Sequence, residues 1–533
     1  MLNNEQMEIV NSKEHKILVL AGAGTGKTYC MLERIKKLIH DGVDPTTILV
    51  LTFTNAAACN MDIRFKSDNK SKFKKLSPEF KTFHAFCYGL LANDKDVRSQ
   101  FGYTSIPSIL SEIDYSAFKK TVKTKYSVKL SDAKLSGNQT LSKSDQFQFD
   151  LFRKCLKQEL IQSNKITFDM LCYDICELFV NNHPSIEKYH NQYKYIFVDE
   201  FQDTDEKQWR FVKSFKNADL YVVGDFLQNL YRFRGTDPTI IKSLANSDDW
   251  TIYKLHRNYR STKQICDFAN ENSLYADSSC RIEIDSDKSG DNVHVIHMSD
   301  GALDKIYSEL IPRCKSLNKD ETLAVLCRTN VEVAEIKGEL KSNGISISDS
   351  ESDLSFKKKL LITCMDDSAF LNMLAADLTN ESYAEYIRIK SLYESGDFEI
   401  DKFLAFFQNK GMSKAIILMN KIHEIIWSEL YDYRMKYDKL IELLNLPYIQ
   451  ADFNEIVSDE SLINSVISII ESIKSDSNIY VGTIHSSKGL EYDEVHLPNV
   501  GGKTFRLTSE DNNNVYYVGI TRAKTNLYVY LCR

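Results

Sequence analysis

Short apolar runs alternate with amphipathic segments of helical length along much of the chain. "KILVLAG" is followed by "KTYCMLERIKKLI", "TILVLTFTN" by "AAACNMDIRF", "YKYIFVDE" by "DEKQWRFVKSF", and "DLYVVGD" by a loop. Such runs match strands buried on both faces, and the intervening helical periodicity matches the helices that cover them. The alternation predicts an α/β fold with a parallel sheet. A second series opens near residue 251 with "WTIYKL", "NVHVIHM" and "TLAVLCRT", and resumes with "NIYVGTIH", "DEVHLPN" and "NLYVYLC". Two α/β units are therefore expected, each interrupted by an insertion of helical pattern, near 86–185 and 346–477. In the second, "KAIILMNKIHEIIWSELYDYRMKYDKLIELL" reads as core packing at helical spacing.

Composition supports a chain folded throughout: of 533 residues, 43% are hydrophobic and 26% charged, with only 20 glycines and 8 prolines. The net charge of -7 argues weakly against a nucleic-acid partner. Two lysine-rich stretches, "RFKSDNKSKFKKLS" and "FKKTVKTKYSVKLSDAKLSGNQTLSKS", offset it locally and suit either a phosphate backbone or a solvated loop. Twelve cysteines are scattered singly. Cys172 and Cys176 are the closest pair, on the helical pattern "FDMLCYDICELF", and no second pair follows, so they read as small buried side chains. No signal peptide opens the chain, and no apolar run approaches the roughly 20 residues of a membrane span. A cytoplasmic chain with reduced thiols and no membrane partner is the expectation.

Two segments carry chemistry. In "VLAGAGTGKTYCML" a strand runs into Gly22, Gly24 and Gly26, then Lys27, Thr28 and a helix. Glycines let backbone amides turn inward as an anion nest, and the helix N-terminus adds its positive dipole end. Lys27 is placed for terminal phosphates and the Thr28 hydroxyl for Mg²⁺. Ala21 stands where the common pattern has glycine, and its methyl fits if φ stays negative. In "YIFVDEFQDTDEKQW" an apolar run delivers Asp199 and Glu200 to the carboxyl edge of a strand, where open α/β sheets bind ligands. Asp199 suits Mg²⁺, and Glu200 suits orienting or deprotonating an attacking water. Together these sites predict a nucleoside triphosphatase using Mg²⁺.

Nine segments in order, "LNNEQ", "AGAGTGKT", "TFTNAAACNM", "KTFHAF", "VDEFQDT", "VVGDFLQNLYRFRG", "NYRST", "GTIHSSKGLEYDEV" and "VYYVGITRAK", resemble the motif series of UvrD/Rep/PcrA-type superfamily 1A DNA helicases. That family commonly begins its phosphate loop with alanine, which accounts for Ala21. The resemblance implies two RecA-like domains, 1A at 1–85 and 186–248 and 2A at 249–345 and 478–533. It also implies an insertion 1B at 86–185 and a reduced 2B-like insertion at 346–477. The loop Ala21, Gly22, Ala23, Gly24, Thr25, Gly26, Lys27 and Thr28 would hold the nucleotide, with Gln6 reading adenine, Tyr259 stacking on it and Glu491 touching the ribose. Lys27, Asp199, Glu200, Gln228, Arg260 and Arg522 would be catalytic, Thr28 and Asp199 would hold the metal, and the two arginines would act as fingers in cis.

By the same resemblance Phe53, Asn55, His84, Tyr231, Phe233, Arg234 and His485 would face DNA, with Phe233 where tryptophan is usual. Aromatics there can stack bases without reading sequence. Ala56, "DFLQ" and "EDNNNVYYV" depart from the family's pattern without touching the hydrolytic residues. The implied activity is ATP-driven 3′→5′ movement on single-stranded and partly duplex DNA. The compact build resembles the helicase subunit of Gabija-type antiphage systems, which works with a separate nuclease. The rival readings are a DNA-gated ATPase switch that controls such a partner, and a P-loop kinase. A kinase has no need of Arg260 and Arg522.

Overall fold

The computed structural model describes residues 2–68, 77–110, 112–130, 142–230, 232, 236–273, 280–299, 303–348, 361, 421–422, 424–426, 428, 430–444, 446, 453, 456–472 and 478–532. The chain divides into two compact units. The larger comprises Met1–Val97, Leu171–Ser348 and Ser475–Arg533, and the smaller comprises Arg98–Met170 and Asp349–Lys474.

Thirteen strands occur among the described residues: β1 (Lys16–Ala21), β2 (Ile48–Thr52), β3 (Glu79–Thr82), β4 (Ser108–Ile109), β5 (Lys165–Ile166), β6 (Tyr195–Val198), β7 (Asp219–Gly224), β8 (Thr251–Leu255), β9 (His294–Met298), β10 (Leu323–Cys327), β11 (Ile479–Thr483), β12 (Tyr492–Val500) and β13 (Ala523–Cys532). The larger unit holds two parallel sheets, ordered β3-β2-β6-β7-β1-β8 and β11-β10-β12-β13-β9. Ile17, Val19, Val50, Phe197 and Val223 pack with Ile35 of the helix Lys27–His40 against the first sheet. Leu323, Val325, Val481 and Tyr530 pack with Leu310 and Ile336 against the second. Continuous apolar runs thus became central strands because both faces of each sheet are covered.

Two expectations change. The strand at Thr251–Leu255, read as opening the second series, is the edge strand of the first sheet, in register with β1 from Ile17↔Thr251 to Ala21↔Leu255. It satisfies the backbone groups on that side of β1, which would otherwise be a bare edge. The first excursion from the larger unit spans Arg98–Met170, narrower than 86–185, and the second spans Asp349–Lys474. The helices Phe83–Asn93 and Phe168–Val180 stay with the first sheet because Phe83, Phe86 and Phe179 all pack on Phe211, with ring centroids 6.2, 5.7 and 4.8 Å away.

In the smaller unit β4 and β5 pair in parallel, and the helices Glu112–Lys125 and Lys143–Gln162 enclose Leu110, Val122, Phe152, Leu156 and Leu160. Within the long helical pattern of the second insertion, the helix Tyr433–Leu443 buries Tyr437, Leu440 and Ile441, a core face as read. Residues 69–76 and 131–141, which hold much of the two lysine-rich stretches, lie outside the described residues. Among the described residues no helix is long and apolar enough to cross a membrane.

A buried ionisable pair in the second sheet sets an acid limit on stability. His496 Nε2 lies 2.9 Å from Glu494 Oε1, and Arg313 Nε donates to Glu494 Oε2 at 2.9 Å. Burial depresses the His496 pKa, and His496 and Arg313 hold Glu494 below its ordinary range despite burial. Both groups bind protons more readily when unfolded, so stability present near neutrality is lost as pH falls, first through histidine's ordinary value of about 6.5 and then through glutamate's of about 4.3. Melting temperature measured between these limits should fall, and fall less steeply in His496→Gln.

Candidate functional site

The first sheet brings its carboxyl edge to a cavity of ≈ 630 Å³ within the larger unit. β1 ends at Ala21, buried and paired with Leu255, and the chain then turns through the glycine loop into the helix Lys27–His40. Gly24 and Gly26 have φ of 69° and 79°, the left-handed region that disfavours any side chain, whereas Ala21 does not. The backbone thus accepts a methyl at Ala21 but requires glycine at 24 and 26, and at Gly22 an added Cβ would collide with the side chain of Ile284. Thr25 Oγ1 donates to Gly22 O at 2.8 Å, and Asn258 Nδ2 donates to Ala23 O at 2.8 Å, so the loop is braced from inside and from the segment after β8. Gly24, Thr25, Gly26, Lys27 and Thr28 line the cavity.

Strands β6 and β7 add the acids and the amide. Asp199 and Glu200 follow β6, and Thr28 Oγ1 donates to Asp199 Oδ2 at 3.1 Å. Lys27 Nζ lies 3.8 Å from Glu200 Oε2, and Gln202 Nε2 donates to that oxygen at 2.5 Å. Burial, followed by the Glu200 charge, pushes the Asp199 pKa up. Burial would also raise Glu200, but Lys27 and Lys488 outweigh it and hold that carboxylate ionised. Gln228, in the turn Phe226–Gln228 after β7, donates from Nε2 to Asp225 Oδ2 at 2.7 Å. The Thr28 hydroxyl and Asp199 carboxylate form an oxygen-only donor pair, which suits a hard ion such as Mg²⁺.

Two arginines complete the cavity from elements flanking the second sheet. Arg260 Nε donates to Glu491 Oε2 at 2.8 Å, and its Nη1 donates to Thr521 O at 3.0 Å. Arg522, only 2% exposed, donates from Nε to Val518 O at 3.0 Å, from Nη1 to Leu490 O at 3.1 Å and from Nη2 to Gln228 Oε1 at 3.5 Å. Its guanidinium is thus aimed by backbone carbonyls and the Gln228 amide rather than by a directly bonded carboxylate, with Glu200 and Asp225 acting on it only at longer range. Leu227 and Leu230 share a buried cluster with Val515, Tyr516 and Tyr517, so the glutamine turn packs against the helix Glu510–Ile520 that precedes Arg522.

Other residues singled out from the sequence fall less simply. Gln6 is buried beneath the loop: its Oε1 accepts from Asn3 N–H, and its Nε2 donates to Thr25 O at 3.2 Å. Its amide therefore braces the loop in this arrangement. Tyr259 is 45% exposed, with its own N–H donated to Gly24 O at 2.8 Å. Glu491 lines the cavity but serves as the counter-ion of Arg260, with Lys524 Nζ also 3.4 Å away. Phe53, His84 and His485 follow β2, β3 and β11 at the carboxyl edges of the two sheets, and none of them lines the cavity. Burial, then Arg328 and Lys488, pull the His485 pKa down to about 4, which keeps that ring neutral. Asn55 begins the helix Asn55–Asp68. Tyr231, Phe233 and Arg234 lie outside the described residues.

Sequence reading passed over Lys488 and Asp203, although both lie within quoted motifs. Lys488 Nζ contacts Asp203 Oδ2, donates to Gln228 O at 3.1 Å and stands 4.0 Å from Glu200 Oε2. The signal available was a lysine between serine and glycine in "HSSKGLEY", a setting that does not by itself name its partner. Arg232, inside "LYRFRG", pairs with Glu510 at 3.0 Å and Asp511 at 3.3 Å, so the acidic residues of "EDNNNVYYV" meet that loop. Asn60, inside "TFTNAAACNM", and Arg64 just beyond it also line the cavity, although neither was given a role from the sequence.

Comparison with known proteins agrees with this geometry. A family model described as the UvrD/REP helicase N-terminal domain matches residues 2–249, and one described as the UvrD-like helicase C-terminal domain matches 253–442 and 400–533. The chain is 26% identical to a probable DNA helicase II homolog of Mycoplasma capricolum, over 99% of this chain and 84% of the relative. It is 26% identical to the ATP-dependent DNA helicase PcrA of Staphylococcus epidermidis and 25% identical to that of Staphylococcus aureus, in each case over 99% of this chain and 83% of the relative.

Proposed function

This chain belongs to the UvrD-like DNA helicases, DNA-dependent ATPases by family, and on that footing we propose that it moves 3′→5′ along single-stranded DNA with the cavity described above as its motor. The observation that carries this reading is the convergence of Lys27, Asp199 and Glu200 from the first sheet with Arg260 and Arg522 from the second half in one cavity. In this reading the loop amides and Lys27 hold the β- and γ-phosphates, Tyr259 stacks on the base, and Glu200 orients the attacking water. Mg²⁺, held by Thr28 and Asp199, would neutralise phosphate charge. Arg260 and Arg522 stabilise the charge that develops on the γ-phosphoryl group.

Coupling follows from the same contacts. Gln228 is joined to Asp225 within its own turn, to Lys488 through its carbonyl and to Arg522 through its side chain. A γ-phosphate would add a further bridge between the arginines and the loop, so nucleotide state biases the two halves between closed and open arrangements. Phe53, Asn55, His84, Tyr231, Phe233, Arg234 and His485 are the proposed DNA contacts, and motion between the halves would move the strand past them.

The test is ATP hydrolysis with and without single-stranded DNA, followed by strand displacement from duplexes bearing a 3′ or a 5′ tail. Stimulation by DNA together with displacement from the 3′-tailed duplex is the expected result. Displacement from the 5′-tailed duplex alone would overturn the polarity. DNA-stimulated hydrolysis without displacement would favour the rival reading, a DNA-gated switch that controls a partner nuclease, as in antiphage defence. The short second insertion is the feature that favours that rival.

A further inference from the structure

Beneath the helices that follow β3 and precede β6, three thiols converge. Cys87 lies on the helix Phe83–Asn93, and Cys172 and Cys176 lie on the helix Phe168–Val180. In the linear sequence only Cys172 and Cys176 are close, and their four-residue spacing puts both on one helix face. The fold adds Cys87 from 85 residues away, with its Sγ 4.0 Å from that of Cys172. All three sulfurs lie within 4.8 Å of one another, at exposures of 0%, 8% and 3%. Among the described residues no other three histidines, cysteines or acids form such a group.

We propose that Cys87, Cys172 and Cys176 bind a thiophilic d¹⁰ cation, Zn²⁺, as three thiolates. Tetrahedral zinc with Zn–S bonds of about 2.3 Å places its sulfurs about 3.8 Å apart, so the triad needs only small side-chain adjustments to reach that geometry. Soft thiolates select such an ion over the hard Mg²⁺ of the nucleotide cavity. Binding displaces the three thiol protons to solvent as the Zn–S bonds form, and no electron is transferred. The ion would tie together the two helices between which the chain makes its whole Arg98–Met170 excursion.

The experiment uses the full chain, purified under reducing conditions from zinc-supplemented cells, with metal content measured by mass spectrometry. Metal-free protein is then titrated with Co²⁺, and the thiolate-to-cobalt charge-transfer band is read. About one zinc per chain is expected, together with a cobalt band of three-thiolate intensity and tetrahedral d–d absorption. Cys172→Ser should lower Zn²⁺ affinity at least tenfold, whereas Cys155→Ser, at a buried cysteine outside the group, should leave it unchanged. Wild-type protein without zinc and without the cobalt band would overturn the site, whether or not any variant folds. Zinc retained at full affinity in Cys172→Ser would also overturn it. ATP hydrolysis enters none of these readings, so they stand apart from the proposed motor.

Discussion

Arg522→Ala should lower kcat for DNA-stimulated ATP hydrolysis by about 10³-fold or more while changing nucleotide affinity only a few fold. Such a loss is about 4 kcal/mol of transition-state stabilisation. The expectation rests on how the side chain is held. Its three nitrogens reach Val518 O, Leu490 O and Gln228 Oε1, and these neutral acceptors fix its direction without cancelling its charge. Burial disfavours the charged guanidinium and Arg260 adds to that effect, while Glu200 offsets part of it, so an anion placed between the two arginines is favoured. A γ-phosphoryl group in transit is such an anion. Because Arg522 is buried, truncation can also loosen the fold, and Arg522→Lys separates the two causes. Lysine keeps the charge but loses the fork. Steady-state kinetics beside a melting curve should show Arg522→Lys near wild type in Tm and still well below it in kcat. A normal kcat in a folded Arg522→Ala protein would remove the residue from the mechanism.

Glu200→Gln should reduce kcat by roughly 10²–10⁴-fold without weakening ATP binding. Glu200 is one of few non-glycine residues with positive φ, at 51°, and its N–H donates to Asp199 Oδ1 at 3.0 Å. A left-handed backbone at such a residue costs about 1–3 kcal/mol and is tolerated chiefly where function demands it. Lys27 at 3.8 Å and Lys488 at 4.0 Å keep the carboxylate ionised. Removing its charge frees Lys27 for phosphates, so nucleotide affinity measured by fluorescent-analogue binding should hold or tighten while turnover collapses. Parallel loss of affinity and turnover would instead mean that the glutamate is structural.

The residues of this site differ in how far they can be read from the chain alone. Gly24, Gly26, Lys27 and Thr28 were legible because their geometry is local: a strand must stop, turn through left-handed backbone and start a helix within a few residues. Asp199 and Glu200 were legible for the same reason, at the end of an apolar run. Glu491 was legible as a cavity residue but not as the counter-ion of Arg260. Gln6 was legible as lying near the loop, but not with its amide committed to Asn3 and Thr25.

By itself, then, the sequence determined the strand-and-helix alternation, the phosphate loop and the acidic pair, since each depends on backbone conformations and apolar periodicities contained in short segments. The tertiary structure decided which sheet received Thr251–Leu255, that Lys488 meets Asp203 across 285 residues, that Arg522 reaches Gln228 across 294, and that Cys87 joins Cys172 and Cys176. Those outcomes depend on which sheet edge is left open and which helices pack on which face. An apolar run of given length satisfies either sheet equally well, so only the closing of the whole fold selects between them.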